Sequence, residues 1–217
     1  MNDEHFKEPK DRILEAAASL FAQKGFSAVG VREIARDANV NISMISYYFN
    51  GKLGVLKAII ENYFRDLDVI INDVKALTLP KEEKFRVMIR YMVNLIKSKM
   101  DNCKVAILEL PYDVPEIADF KIKMVRQHIV MLRESFHGSM PMMDDPDQTG
   151  IIGPALISLI FSNFLLGHIA EPAFGVKMDD AFYDKYANMI STLYLSGIMG
   201  IAAENKKSKV GGHHTGA

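Results

Sequence analysis

Between Asn41 and Phe49 the chain reads NISMISYYF, and within this stretch Ser43, Met44, Ser46 and Tyr47 form an exposed set at helical spacing. Small hydroxyls and a phenol on one solvent face reach the base edges and phosphate oxygens of a duplex. Lys52, three residues after Phe49, adds a cation close by. Other chemistries find less support. The sequence has no nucleophile elbow, phosphate-cradling glycine loop or paired His-Glu metal motif, and Glu109 and Asp113 flank Pro111 as unpaired carboxylates. Asp145, Asp147 and Gly150 imitate the start of a calcium loop, but its twelfth position is Leu156, where a bidentate Glu is required. His213 and His214 have no further ligand nearby in sequence. No catalytic residue, metal or cofactor is expected.

The set at Ser43–Tyr47 needs a helix to present it and a second helix to hold that one. Val31–Ala38 and Ile42–Phe49 supply the pair, joined by Asn39-Val40-Asn41. Gly30 and Asn41 suit the two N-cap positions, and Asn39 tolerates the left-handed conformation that ends the first helix. Ala35 is small where the helices touch, while Ile34, Ala38, Val40, Ile42 and Ile45 complete the contact, as a helix-turn-helix requires.

Helical periodicity continues on both sides, and strand signals are nearly absent. A first amphipathic helix runs from Pro9 to Gly25 with Ile13, Ala16, Ala17, Leu20 and Phe21 on one face. A fourth begins at Lys52 and carries an apolar stripe from Leu56 to Val74. Lys81–Met100, Cys103–Leu110 and Pro115–Phe136 follow, the last apolar on two faces. GSMPMMDDPDQTG reads as an acidic loop before two strongly apolar helices, Gly150–Ala170 and Asp179–Ala203. The stretch from Thr149 to Ala170 has no formal charge over about a membrane-spanning length. Ser158, Ser162, Asn163, His168 and the Gly153-Pro154 interruption favour a helix buried on both sides by protein instead. Phe182, Tyr186, Met189, Ile190, Leu193, Gly197 and Ile201 make a stripe that would build a four-helix dimer interface.

The resulting expectation is an all-α protein. An N-terminal three-helix helix-turn-helix head (9–55) is joined by a long helix to a C-terminal helical bundle (56–205), with a disordered tail (206–217). Composition agrees: 217 residues, 49% hydrophobic, 24% charged and 8 prolines describe a soluble globular chain. A net charge of −1 gives no general affinity for nucleic acid, yet Lys24, Arg32, Arg36, Lys52 and Lys57 face only Glu33 and Asp37 between residues 24 and 58. The single cysteine, Cys103, cannot form an internal disulfide, and the charged N-terminus lacks a secretory apolar region, so a cytoplasmic location is expected.

The run ILEAAASLFAQKGFSAVGVREIARDANVNISMISYYFNGKLGVLKAII resembles the DNA-binding domain of the TetR family of bacterial transcriptional regulators. The resemblance covers roughly residues 9–60, about a quarter of the chain. Three positions depart from the family habit: Gly30 replaces Thr or Ser, Asn39 replaces Gly, and Ser46 replaces a common Tyr. The last alters the reading surface. The resemblance implies that Tyr47 and Lys52 contact phosphates and that Ser43, Met44 and Ser46 face the major groove. Tyr48 would lend its hydroxyl to the backbone, and Arg32 would approach it from the preceding helix.

It further implies a homodimer, formed through the last two long helices, that binds a double-stranded DNA operator, and an effector cavity for a small molecule in the C-terminal bundle. Phe64, Met88, Tyr91, Met92, Leu95, Phe120, Met124, His128, Met131 and Asn163 are the candidates for its lining. Met at helical spacing and a lone histidine equally suit a packed core. Two other readings stay open at this point, a helical small-molecule-binding enzyme and an interaction scaffold, each carrying a helix-turn-helix head.

Overall fold

The structure, a computed structural model, describes residues 8–109, 114–136 and 145–211. Every regular element among them is a helix: α1 Pro9–Lys24, α2 Val31–Asp37, α3 Ser43–Phe49, α4 Lys52–Ala76, α5 Lys81–Ser98, α6 Met100–Leu108, α7 Pro115–Phe136, α8 Pro146–Phe174 and α9 Asp180–Gly211. The all-α expectation and the N-terminal helix-turn-helix therefore hold. The chain divides into two compact units, one of residues 1–68 and 99–128, the other of residues 69–98 and 129–217. Both α4 and α7 contribute to each.

In the first unit α1 is the central element, packing against α2, α3 and α6. Pro9 occupies its first turn, where a missing amide costs nothing, and Gly25 stops it at φ 80°. Ile13, Ala17, Phe21, Ile34, Ile45, Val55, Leu56, Ile59 and Ile60 are all but sealed from solvent, a contiguous apolar core drawn from four helices. Between α5 and α6 the helical run breaks at Lys99 rather than continuing to Met100. Cys103 on α6 is buried, and burial, then the Asp66 carboxylate, push its thiol up to about 12 while Lys99 pulls the other way. It behaves as a packed apolar residue.

In the second unit α5 packs on α8 and α9, which also touch each other. Phe85 stacks on Tyr194 with ring centroids 5.4 Å apart and meets Phe136 edge-on at 6.3 Å. The Tyr194 hydroxyl donates to the Ile152 carbonyl at 2.9 Å, which gives this half-buried phenol a partner. Arg86 and Arg90 of α5 donate to Thr192 and Asn188 of α9.

Four sequence expectations need correction here. The acidic loop gives way to α8 at Pro146, because Asp145 caps it by accepting from the amides of Asp147 and Gln148; residues 137–144 lie outside the described set. Gly153-Pro154 does not interrupt the helix, and α8 runs on past Ala170 to Phe174 with Pro154 and Pro172 inside it. Nor is it buried on both sides. Ile160, Phe161 and Ala170 are buried, but Ile151, Leu166, Ile169 and Phe174 are more than half exposed. Within this chain α8 has an inner apolar face and an uncovered outer one, and it is long and apolar enough to cross a membrane. The final helix extends to Gly211, through residues 206–211 that composition had assigned to the tail; His213 and His214 lie outside the described residues.

Candidate nucleic-acid interface

The turn between α2 and α3 is built from local hydrogen bonds plus one distant side chain. Ala38 ends α2, Asn39 adopts φ 50°, and the Val40 amide returns to the Ala35 carbonyl at 3.0 Å. Arg12 of α1 reaches across to donate to the Asn39 carbonyl at 3.1 Å. Asn is among the few residues that enter this left-handed region cheaply, which explains how it stands where a glycine is the family habit. Asn41 does the work of an N-cap: its side-chain oxygen accepts from the Ser43 amide at 2.9 Å and from the Ser43 hydroxyl at 2.8 Å. The helix proper opens at Ser43, one residue later than the pattern suggested, with Ile42 before it already at helical dihedrals and its carbonyl accepting from the Ile45 amide at 3.2 Å.

On α3 the inward positions are Ile45 and Phe49, both buried. Ser43, Ser46 and Tyr47 are exposed and share a face by their three- and four-residue spacing, while Met44 and Tyr48 are half-buried. Tyr47 is 81% exposed, with its ring edge against Tyr48 at 5.0 Å. Asn50 at φ 56° stops the helix, and Gly51 at φ 98° turns the chain into α4. Gly54 is obligatory: a Cβ there would lie 1.6 Å from the Phe49 carbonyl oxygen, so only glycine lets α4 cross the end of α3. Sequence reasoning missed Gly54 and Arg12. A glycine early in a strongly periodic helix was the available signal for the first.

Lys52 opens α4 and is half-buried. Its ammonium donates to the carbonyls of Phe26 at 2.9 Å and Val29 at 2.8 Å and lies 4.3 Å from the centre of the Phe26 ring. Those carbonyl dipoles compensate a cation placed at the positive end of a helix, where it is otherwise disfavoured. Two of three N–H bonds are thereby committed to the protein. Of the other basic residues in this region, Lys24 pairs with Glu33, Arg36 with Glu33 and Asp37, and Lys57 with Glu116 at 3.9 Å. Arg32 is exposed and makes no ion pair among the described residues.

The effector candidates divide between the units. Phe64, Phe120, Met124 and His128 belong to the first, and Met88, Tyr91, Met92, Leu95, Met131 and Asn163 to the second. His128 is buried with both ring nitrogens against protein oxygens. Nδ1 lies 2.7 Å from the Met124 carbonyl, and Nε2 lies 3.1 Å from the Phe64 carbonyl and 2.7 Å from the Asp68 carboxylate. No ring nitrogen is left to meet a ligand. An open groove along α9, lined by Lys185, Asn188, Met189, Thr192, Leu193 and Ser196, includes none of the ten. Glu109, an unpaired carboxylate by sequence, accepts from the Phe26 amide at 3.1 Å; Asp113 lies outside the described residues.

Residues 13–59 match the family model described as bacterial regulatory proteins, tetR family. The probable HTH-type transcriptional regulator YttP of Bacillus subtilis is 51% identical over 55 residues, 25% of this chain and 27% of that one. The HTH-type transcriptional regulator SrpR of Pseudomonas putida is 35% identical over 63 residues, 29% of this chain and 30% of that one. These matches thus span under a third of the relatives' own length. Among solved structures, the fatty acid degradation regulator FadR from Bacillus halodurans superposes with a TM-score of 0.70 at 19% identity, covering 90% of this chain and 98% of that one. FadR from Bacillus subtilis in complex with stearoyl-CoA gives 0.62 at 20% identity, covering 87% and 98%. At such identities the likeness is one of fold.

Proposed function

This chain belongs to the TetR family of bacterial regulatory proteins, and from that premise we propose that it is a ligand-responsive transcriptional repressor, binding a palindromic operator as a homodimer in the cytoplasm. The observation that carries the reading is the division of α3 into a buried side at Ile45 and Phe49 and an open side at Ser43, Ser46 and Tyr47. A helix held on one face and hydrophilic on the other is what enters a major groove. Ser43, Met44 and Ser46 read bases, Tyr47 and the remaining N–H of Lys52 meet phosphates, and Arg32 and Tyr48 support them from the flanks. Residues 9–55 act as the DNA-binding head and 56–205 as the part that binds effector and partner.

Two heads in one dimer match half-sites about 34 to 36 Å apart. A small molecule that favours another spacing lowers operator affinity, and the operator lowers affinity for that molecule by the same factor. Its lining is drawn from the candidates in the second unit, Met88, Tyr91, Met92, Leu95, Met131 and Asn163. Stearoyl-CoA, which a regulator of the same fold binds, is the first probe to try.

The test is enrichment of duplexes from a random pool by the full chain, followed by titration of the enriched duplex over a range of salt. Expected are a shared, partly palindromic sequence and a steep loss of affinity with salt from released counterions. Failure to enrich any sequence over random duplex would end this reading.

A further inference from the structure

The connection between α1 and α2 has little internal bonding: after Gly25 the one backbone bond inside it runs from the Val29 amide to the Phe26 carbonyl at 3.4 Å. Charged side chains from elsewhere in the same unit hold it instead. Both backbone groups of Phe26 are held, its amide by Glu109 at the end of α6 and its carbonyl, in the next peptide group, by Lys52 at the start of α4. The Phe26 ring is buried beneath the Lys52 ammonium and meets Phe21 edge-on at 5.3 Å. Behind Glu109, the buried Lys121 of α7 donates to its carbonyl, and Lys104 of α6 donates to the Ala22 carbonyl in the last turn of α1.

We propose that Glu109 is a positioning residue for DNA binding, fixing the backbone of Phe26 at its amide so that Lys52, bound to the carbonyl of the same residue, and the reading helix before it are held in the geometry that fits the duplex. The proposal rests on the regulator reading and adds a residue 83 positions from its partner, far outside the matched domain. The two bonds fall on the peptide groups either side of the Phe26 α-carbon, so Glu109 and Lys52 each pin one flank of the same residue through a charge-assisted hydrogen bond. Lys52 follows α3 by two residues, Asn50 and Gly51, and therefore what anchors Lys52 anchors the end of the reading helix. Glu109 makes the end of α6 part of that anchor.

Full-length Glu109→Ala and Glu109→Gln are compared with the unmodified protein on the duplex that the unmodified protein enriches. Glu109→Ala should bind roughly tenfold more weakly, the scale of one charge-assisted hydrogen bond. The slope of log affinity against log salt should not change, because no phosphate contact is removed. Glu109→Gln keeps an acceptor in place and should recover most of the loss, and exchange of the Phe26 amide should be faster in the alanine variant alone. Unchanged affinity in Glu109→Ala, a shallower salt slope, or a glutamine variant as weak as alanine would each overturn the positioning role while leaving the regulator reading intact. If no duplex is enriched, both fall.

Discussion

A lysine ammonium has three N–H bonds, and at Lys52 two of them are spent inside the protein on Phe26 and Val29. Its role as a phosphate contact therefore comes second to a structural one, and the two separate by measurement. Lys52→Met keeps the aliphatic stem against Phe26 but leaves two carbonyls without their donor, which should cost about 1–3 kcal/mol in urea unfolding. The same variant should lose about one unit of salt slope per bound head, about two for a dimer, if the third N–H meets a phosphate. Tyr47→Ala is the contrast. With 81% of that residue exposed, stability should stay within about 0.5 kcal/mol while duplex affinity falls. A Lys52→Met protein as stable as the unmodified one would show that the carbonyl bonds carry no weight. The residue types at Ser43, Ser46 and Tyr47 were legible because exposure on a short helix follows from spacing alone. The partners of Lys52, Arg12 and Glu109 were not, since backbone carbonyls and amides leave no mark in a sequence.

Helices were legible wherever one face is apolar and the other polar, as in α1, α4 and α5, whose boundaries fall within a residue or two of the periodic pattern. The pattern was ambiguous where it is apolar all round. For α8 it suggested burial on two sides, yet the structure covers one side only; periodicity reports how many faces are apolar and not what covers them. Buried charge was also invisible. Lys121 sits mid-stripe on α7 and is 8% exposed; burial lowers its pKa from 10.5 to about 8, with the Glu109 carboxylate acting in the opposite direction. Between pH 8 and 10.5 the unfolded chain then binds more protons at this residue than the folded one, so its contribution to stability rises with pH over that window and is lost as pH falls through 8. Urea midpoints of the unmodified protein and of Lys121→Met, compared from pH 7 to 10.5, should diverge in favour of the unmodified protein as pH rises. A constant difference would mean that Lys121 is charged equally in both states.

At the scale of the molecule, the uncovered side of α8 and the open groove of α9 pose one physical problem. Leu166 and Ile169 on α8 are 54% and 55% exposed, and Met189 and Leu193 on α9 are 56% and 62% exposed. Four large apolar side chains on two helices of one unit form more than scattered surface exposure, and a stable interface needs about 800 Å² from each partner. The proposed second copy of this chain would meet that need in a way a membrane would not: Lys185, Asn188, Thr192 and Ser196 line the same groove, and polar groups of that kind are satisfied at the rim of a protein interface but not in hydrocarbon. Dimerisation also supplies the second head that a palindromic site requires. The double variant Leu166→Glu, Leu193→Glu places charges on both helices at exposed positions, where they cost the monomer little. It should sediment as a monomer of unchanged helicity. On the enriched duplex it should keep roughly half of the salt slope, because one head rather than two displaces counterions, and lose most of the affinity. An unmodified protein that sediments as a monomer at micromolar concentration would remove the dimer, and a double variant that remains dimeric would place its interface elsewhere; either leaves the apolar side of α8 to another occupant.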